Sequence, residues 1–330
     1  MGNIAAVRSF LDLGISVDAV DSYKVSLLAM AASCNQIEVA KLLIERGAKP
    51  LDEYPAPLAL AVLERDLSMV TLLLDNGATM SYEAALFILS YCDLDTYKQI
   101  KYQFSVKRGD VFGNTMLQRA AENTKHSEIF HHIVADLDSD EYSLDHRNDQ
   151  GETALMVAID SCNLSVVKLL ISAKHRDAAG LRLHSRDGNY PIHKAILAGS
   201  MEMVKMLVKA DPAVVIDKGA LNQTPIHLAV ECNKMEILEF LFRNGAKISG
   251  YNTQGLLPLH LAVQHRNTAM VRFLLRFGSP NITNSANGLC PSDLARRLKY
   301  HGTASIIEQW PNIDPSLYRD HPDGRPIYRI

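Results

Sequence analysis

No catalytic signature stands anywhere in the 330 residues of this chain. G-x-S-x-G, the P-loop and H-E-x-x-H are all absent, so it has no nucleophile elbow, phosphate cradle or helical zinc pair of the usual kind. No run reaches the 18 or so apolar residues of a membrane-spanning helix. The start, MGNIAAVRSF, lacks the basic and apolar regions of a secretory signal. Gly2 raises N-myristoylation, but Ala6 stands where that motif requires Ser or Thr. Cysteine is sparse: five, at 34, 92, 162, 232 and 290, none at metal-site spacing. A large charge excess is missing too. Lys and Arg number 34 against 37 Asp and Glu, a net charge of −3 with a pI near 6.5, which gives no overall pull toward nucleic acid or anionic membrane. These absences leave a protein expected in a reducing, intracellular compartment, cytoplasmic or nuclear, with no membrane insertion.

What is present is a repeated apolar pattern, within a composition that is 47% hydrophobic. The stretch QTPIHLAVECNKMEILEFLFRNGAKI, residues 223 to 248, shows its unit. Thr224 can cap a helix, and Pro225 suits the first helical position because its missing N–H would have had no partner there. Ile226, Ala229 and Val230 share one face, while Ile237, Leu238, Leu241 and Phe242 form a second stripe after the break at Cys232-Asn233-Lys234. Gly245 follows the last apolar residue, where a left-handed cap ends a helix. Two short helices are predicted, and a pair this small cannot bury its apolar face alone.

The pattern recurs along the chain. Aligned on Thr224, the units start at residues 26, 56, 115, 153, 190, 224, 257 and 290, in steps of 30, 59, 38, 37, 34, 33 and 33. The step of 59 conceals a degenerate unit near 80–105, MSYEAALFILSYCDLDTYKQIKYQF, which keeps two helical stripes and no box.

The repeat resembles the ankyrin family, whose T-P-L-H-x-A box is matched best by Thr224-Pro225-Ile226-His227-Leu228-Ala229 and by Pro258-Leu259-His260-Leu261-Ala262. The resemblance implies an all-α ankyrin repeat solenoid of about nine helix-turn-helix units with projecting loops or short hairpins. It spans residues 1–310 as a single array, with an extended tail over 311–330. Trp310, Leu317, Tyr318 and Tyr328 of that tail could lie along the last repeat. At the histidine position of the box, units 26, 56 and 115 carry Ala29, Ala59 and Gln118, so those units are expected to be less regular. The chain enters at a second helix, with Ile4, Val7 and Leu11 as its apolar stripe. The first helix that would pack beside it is absent, so the amino end is expected to be the weak end, and either the sequence begins inside a longer protein or a partner covers the opening.

Several residues invite sharper readings that the repeat absorbs. His193, His227 and His260 recur at one repeat position, where the family uses the ring to hydrogen-bond neighbouring backbone. His126, His131 and His132 lack a cysteine or carboxylate at ligand spacing, so no metal is expected. The RGD at Arg108 to Asp110 falls at a repeat junction. No enzyme activity, cofactor or small-molecule ligand is expected.

The resemblance implies a scaffold that binds a partner protein through a concave helix face and finger loops, with contacts at positions the fold does not dictate. The candidates on tips are His146, Arg147, Arg182, His184, Arg186, Tyr251 and Asn252. Along the inner face they are Asp160, Glu231, Gln264 and His265. Two long junctions, 135–151 and 172–188, are acidic and basic respectively, and either screen one another as solvated surface or form a bipolar patch that docks a charged partner segment. Two other roles remain open: an adaptor that recruits a client to a ubiquitin ligase or other complex, and a bacterial effector acting on a host protein in the host cytosol.

Overall fold

The computed structural model describes residues 4–50, 56–79, 82–101, 109–136, 144–172, 178–279, 285 and 288–310. The tail over 311–330 lies outside them, as do residues 137–143 of the acidic junction and Lys174 and Arg176 of the basic one. Among the described residues there are nineteen α-helices and no strand.

Helices start where the sequence supplies a cap. Ser26 Oγ accepts from Ala29 N–H at 3.1 Å, and Asn267 Oδ1 accepts from Met270 N–H at 2.9 Å. Pro57, Pro191, Pro225, Pro258 and Pro291 each occupy the first helical position. Second helices end where the chain turns left-handed: Gly245 has φ 92° and Gly278 φ 87°, a region open to glycine without a Cβ clash.

The chain forms two compact units. Unit 1, residues 1–149, contains α1 (Ile4–Asp12), α2 (Leu27–Ser33), α3 (Ile37–Glu45), α4 (Pro57–Leu63), α5 (Leu67–Asp75), α6 (Tyr82–Leu89), α7 (Leu94–Ile100), α8 (Met116–Ala121) and α9 (Glu128–Asp136). First helices pack on first helices, in the order α2, α4, α6, α8, and second helices on second helices, in the order α3, α5, α7, α9. The boxless unit therefore keeps its place in the row as α6 and α7. Leu86, Ile88 and Leu89 are fully buried there, and the Asn123 side chain donates to Leu89 O at 3.2 Å and Cys92 O at 2.8 Å.

Unit 2, residues 150–330, contains α10 (Ala154–Asp160), α11 (Leu164–Ser172), α12 (Pro191–Leu197), α13 (Met201–Ala210), α14 (Pro225–Glu231), α15 (Met235–Arg243), α16 (Pro258–Gln264), α17 (Thr268–Arg276), α18 (Pro291–Arg297) and α19 (His301–Gln309). Its first helices α10, α12, α14, α16 and α18 stack in sequence order. The core runs between the two rows, with Ile226, Ala229, Val230, Leu238 and Leu241 among its fully buried members. Phe242 closes the outer side against Phe277, their ring centroids 4.6 Å apart.

α1 differs from the rest because no first helix accompanies it. It packs on α3 and buries none of its own residues. An apolar groove of about 290 Å³, lined by Val7, Leu27, Met30, Val39 and Leu43 among others, stays open beside it.

Candidate protein-interaction surface

Buried polar side chains at Gln118, His193, His227 and His260 tie their repeats to the next finger and fix where the exposed ones can stand. In the box at Thr224, the backbone N–H (3.2 Å) and the hydroxyl (2.8 Å) both point at His227 Nδ1. Nδ1 is then the acceptor, which leaves Nε2–H to donate to Leu256 O of the following finger at 3.2 Å. His260 repeats the arrangement, with Nδ1 accepting from Leu257 N–H at 3.1 Å and Nε2 on Leu289 O at 3.2 Å. His193 bonds Gln223 O at 3.1 Å, but Tyr190 supplies no box hydroxyl and Nδ1 has no hydrogen-bond partner. All three rings are fully buried. Burial pushes their pKa values down, that of His193 to about 4 against the opposing pull of the Gln223 carbonyl.

Gln118 does the same work in unit 1. Its Oε1 accepts from Thr115 N–H (2.8 Å) and Oγ1 (3.0 Å), while Nε2 donates to His146 O at 3.4 Å. The expected loss of regularity at Thr115 is thus corrected: an amide offers the same acceptor and donor as a neutral imidazole. Ala29 and Ala59 have no polar side-chain atom with which to replace the ring.

The fingers and inner-helix ends carry the candidate residues. His146, Arg147, His184 and Arg186 are exposed on fingers, and Tyr251 is 41% exposed. His184 packs edge-on to Tyr190 at 5.6 Å. Arg182 is exposed but pinned, with Nη2 donating to the buried Asp217 Oδ1 at 2.7 Å. Its partner is thus a carboxylate of its own stack, and the acidic residues of the bipolar patch from Asp138 to Glu141 lie outside the described residues. Asn252 is a buried turn residue: its Oδ1 accepts from Gln254 N–H (3.0 Å) and Leu256 N–H (2.9 Å), which closes the loop.

Asp160, Glu231, Gln264 and His265 are all exposed at the ends of inner helices. Asp160 accepts from Lys194 Nζ at 2.6 Å, and Lys194 also reaches Glu152 at 2.8 Å. Lys194 stands in the place that Leu228 and Leu261 hold in the next two repeats. Burial would lower its pKa, but the hydrogen bonds to Asp160 and Glu152 more than reverse that and raise it.

The RGD aspartate is held inward. Asp110 Oδ1 accepts from Phe112 N–H (2.8 Å) and Asn114 N–H (2.9 Å), and Oδ2 accepts from Arg119 Nε at 2.8 Å. Burial would raise its carboxyl, yet the bonds from Asn114 and Arg119 hold it below the usual carboxylate range. Apolar tips were missed in the sequence: Tyr23, Val111, Phe112 and Leu221 all project into solvent. The alternation of short polar loops conceals which residue of a turn faces outward.

A family model of ankyrin repeats in three copies matches residues 58–179 and 177–252, and one of a single ankyrin repeat matches 254–285. The chain belongs to the ankyrin repeat family. Among curated proteins it is similar to the ankyrin repeat protein FPV022 of fowlpox virus (strain NVSL), at 24% identity over 248 residues, covering 66% of this chain and 41% of the viral one. It is also similar to the BRCA1-associated RING domain protein 1 of Caenorhabditis elegans, at 35% identity over 69 residues, or 21% of this chain and 10% of that protein. The chain thus spans under half the length of the fowlpox protein and about a tenth of the nematode one. Ankyrin repeats are in general protein–protein interaction modules. Among the described residues, no helix of this ankyrin chain is long and apolar enough to cross a membrane.

Proposed function

We propose that this ankyrin chain is a scaffold that binds a partner protein through the inner face of its first helices and its finger tips. One observation carries the reading. The last residue of the first helix is exposed in all five repeats of unit 2 and differs in each: Asp160, Leu197, Glu231, Gln264 and Arg297. A few positions earlier, the same helices repeat a buried apolar pattern that packing dictates. A column of exposed, unlike side chains on a prearranged frame is suited to recognition, because the frame loses little entropy on binding. The five cysteines are unpaired, which supports a reducing intracellular setting.

Affinity capture followed by mass spectrometry tests this. Leu197→Glu, Glu231→Lys and Gln264→Glu, combined in one variant, are expected to lose partners that the wild type retains, with an unchanged melting temperature. Retention of the same partners by both proteins would contradict the inner-face reading.

A further inference from the structure

Three fingers of unit 2, residues 184–189, 217–223 and 247–256, stand side by side. A Cβ added to Gly188 would meet Ala220 Cα at 3.3 Å. Thr253 N–H donates to Leu221 O at 2.9 Å, and Asn222 Nδ2 donates to Tyr251 O at 3.0 Å.

The middle tip is unlike its neighbours. Asn222 takes the left-handed place that Gly188 and Gly255 hold beside it, and Leu221 before it is left-handed as well, with φ 54°. The matching residues, Asp187 and Gln254, have no positive φ. A leucine in this region is strained by its Cβ, and Leu221 is 59% exposed, so core packing does not account for it. Strain held at an exposed side chain points to a contact made outside the chain.

The exposed charges on these three fingers are three cations and one carboxylate. Arg186, Lys218 and Lys247, one per finger, are exposed and form no ion pair among the described residues. The exposed carboxylate on these fingers is Asp187, and its oxygens are occupied: one accepts from the Ser185 hydroxyl and Asn189 N–H, the other from Asn189 Nδ2 at 2.8 Å.

We propose that these three tips bind an extended acidic segment of a partner protein, with its carboxylates on Arg186, Lys218 and Lys247 and a bulky apolar side chain seated on Leu221 and Tyr251. This rests on the protein-binding reading above and names the chemistry of the partner. Packed helices lie about 8–10 Å apart and an extended chain advances about 3.3 Å per residue. Acidic residues are therefore expected at about every third position of the ligand. A long polyanion fits less well, because it also meets the rest of a chain whose net charge is −3. A short segment senses mainly the charges within a Debye length.

Fluorescence anisotropy on the full chain decides the matter. The probes are a labelled peptide with Glu at every third position and a central Leu, the same peptide with Lys for Glu, and a short DNA duplex. The acidic peptide is expected to bind at low salt and weaken as salt rises, and the other two to bind poorly. Leu221→Gly is expected to weaken binding roughly tenfold while the melting temperature stays level or rises, since glycine relieves the strain. R186E/K218E/K247E is expected to abolish binding without unfolding, all three side chains being exposed.

Failure of the acidic peptide to bind, equal binding of the lysine peptide or DNA, or indifference to both variants would each overturn the proposal. Partner capture that depends on Leu197, Glu231 and Gln264 but not on Leu221 would leave the scaffold reading standing and remove this one.

Discussion

His193 links the chemistry of one side chain to the acid stability of the whole. Its folded pKa of about 4 lies below the ordinary value of 6.5, so the folded state favours the neutral ring. The contribution is complete above pH 6.5, where the unfolded chain is neutral too, and is lost as pH falls toward 4 while the unfolded ring takes up a proton. The full span is on the order of 3 kcal/mol. His193→Gln is expected to fold, as Gln118 shows an amide can fill this position, and to flatten the fall in melting temperature between pH 7 and about 4.5. Equal slopes for the two proteins would count against the burial argument. His227→Ala is expected to cost about 1–3 kcal/mol, by leaving Thr224 and Leu256 O without their partner, and to spare partner specificity. Urea melts with a binding assay check this. The ring's role could be read from its recurrence in the box, whereas Gln118 hid the same role because the box was judged by residue name instead of by donor and acceptor.

At the scale of the element, the turn between first and second helices recurs with one left-handed residue: Asn35, Arg65, Cys162, Gly199, Asn233, Arg266 and Lys299 all have positive φ. Only the glycine and the two asparagines suit it. The others hold the geometry at some cost, and Arg266 recovers part of it by lying over the Tyr300 ring at 5.2 Å. Cys162 is exposed. Cys162→Gly is therefore expected to stabilise the chain by up to about 1 kcal/mol, read as a rise in melting temperature; a clear fall would show that the thiol packs. Helix positions were legible because the 33-residue step, the box prolines and the capping glycines all agree. Side-chain facing within fingers was not. Asn252 turns inward to close a loop and Leu221 turns outward from one, and neither choice follows from polarity alone, because backbone turn geometry decides it.

At the scale of the molecule, a repeat array is stable where each unit is tied to its neighbours. The ring bridges of His193, His227 and His260 join four successive units between residues 190 and 290. In the first two boxes Ala29 and Ala59 make no such bridge, and α1 buries nothing beside its open groove. Local opening should follow that difference. Hydrogen exchange of the free chain, resolved by peptide, measures it directly. Amides of the described helices between residues 4 and 100 are expected to exchange faster than those between 190 and 279, with the step falling where the bridges begin. Uniform protection across both regions, or slower exchange in the first, would contradict the account.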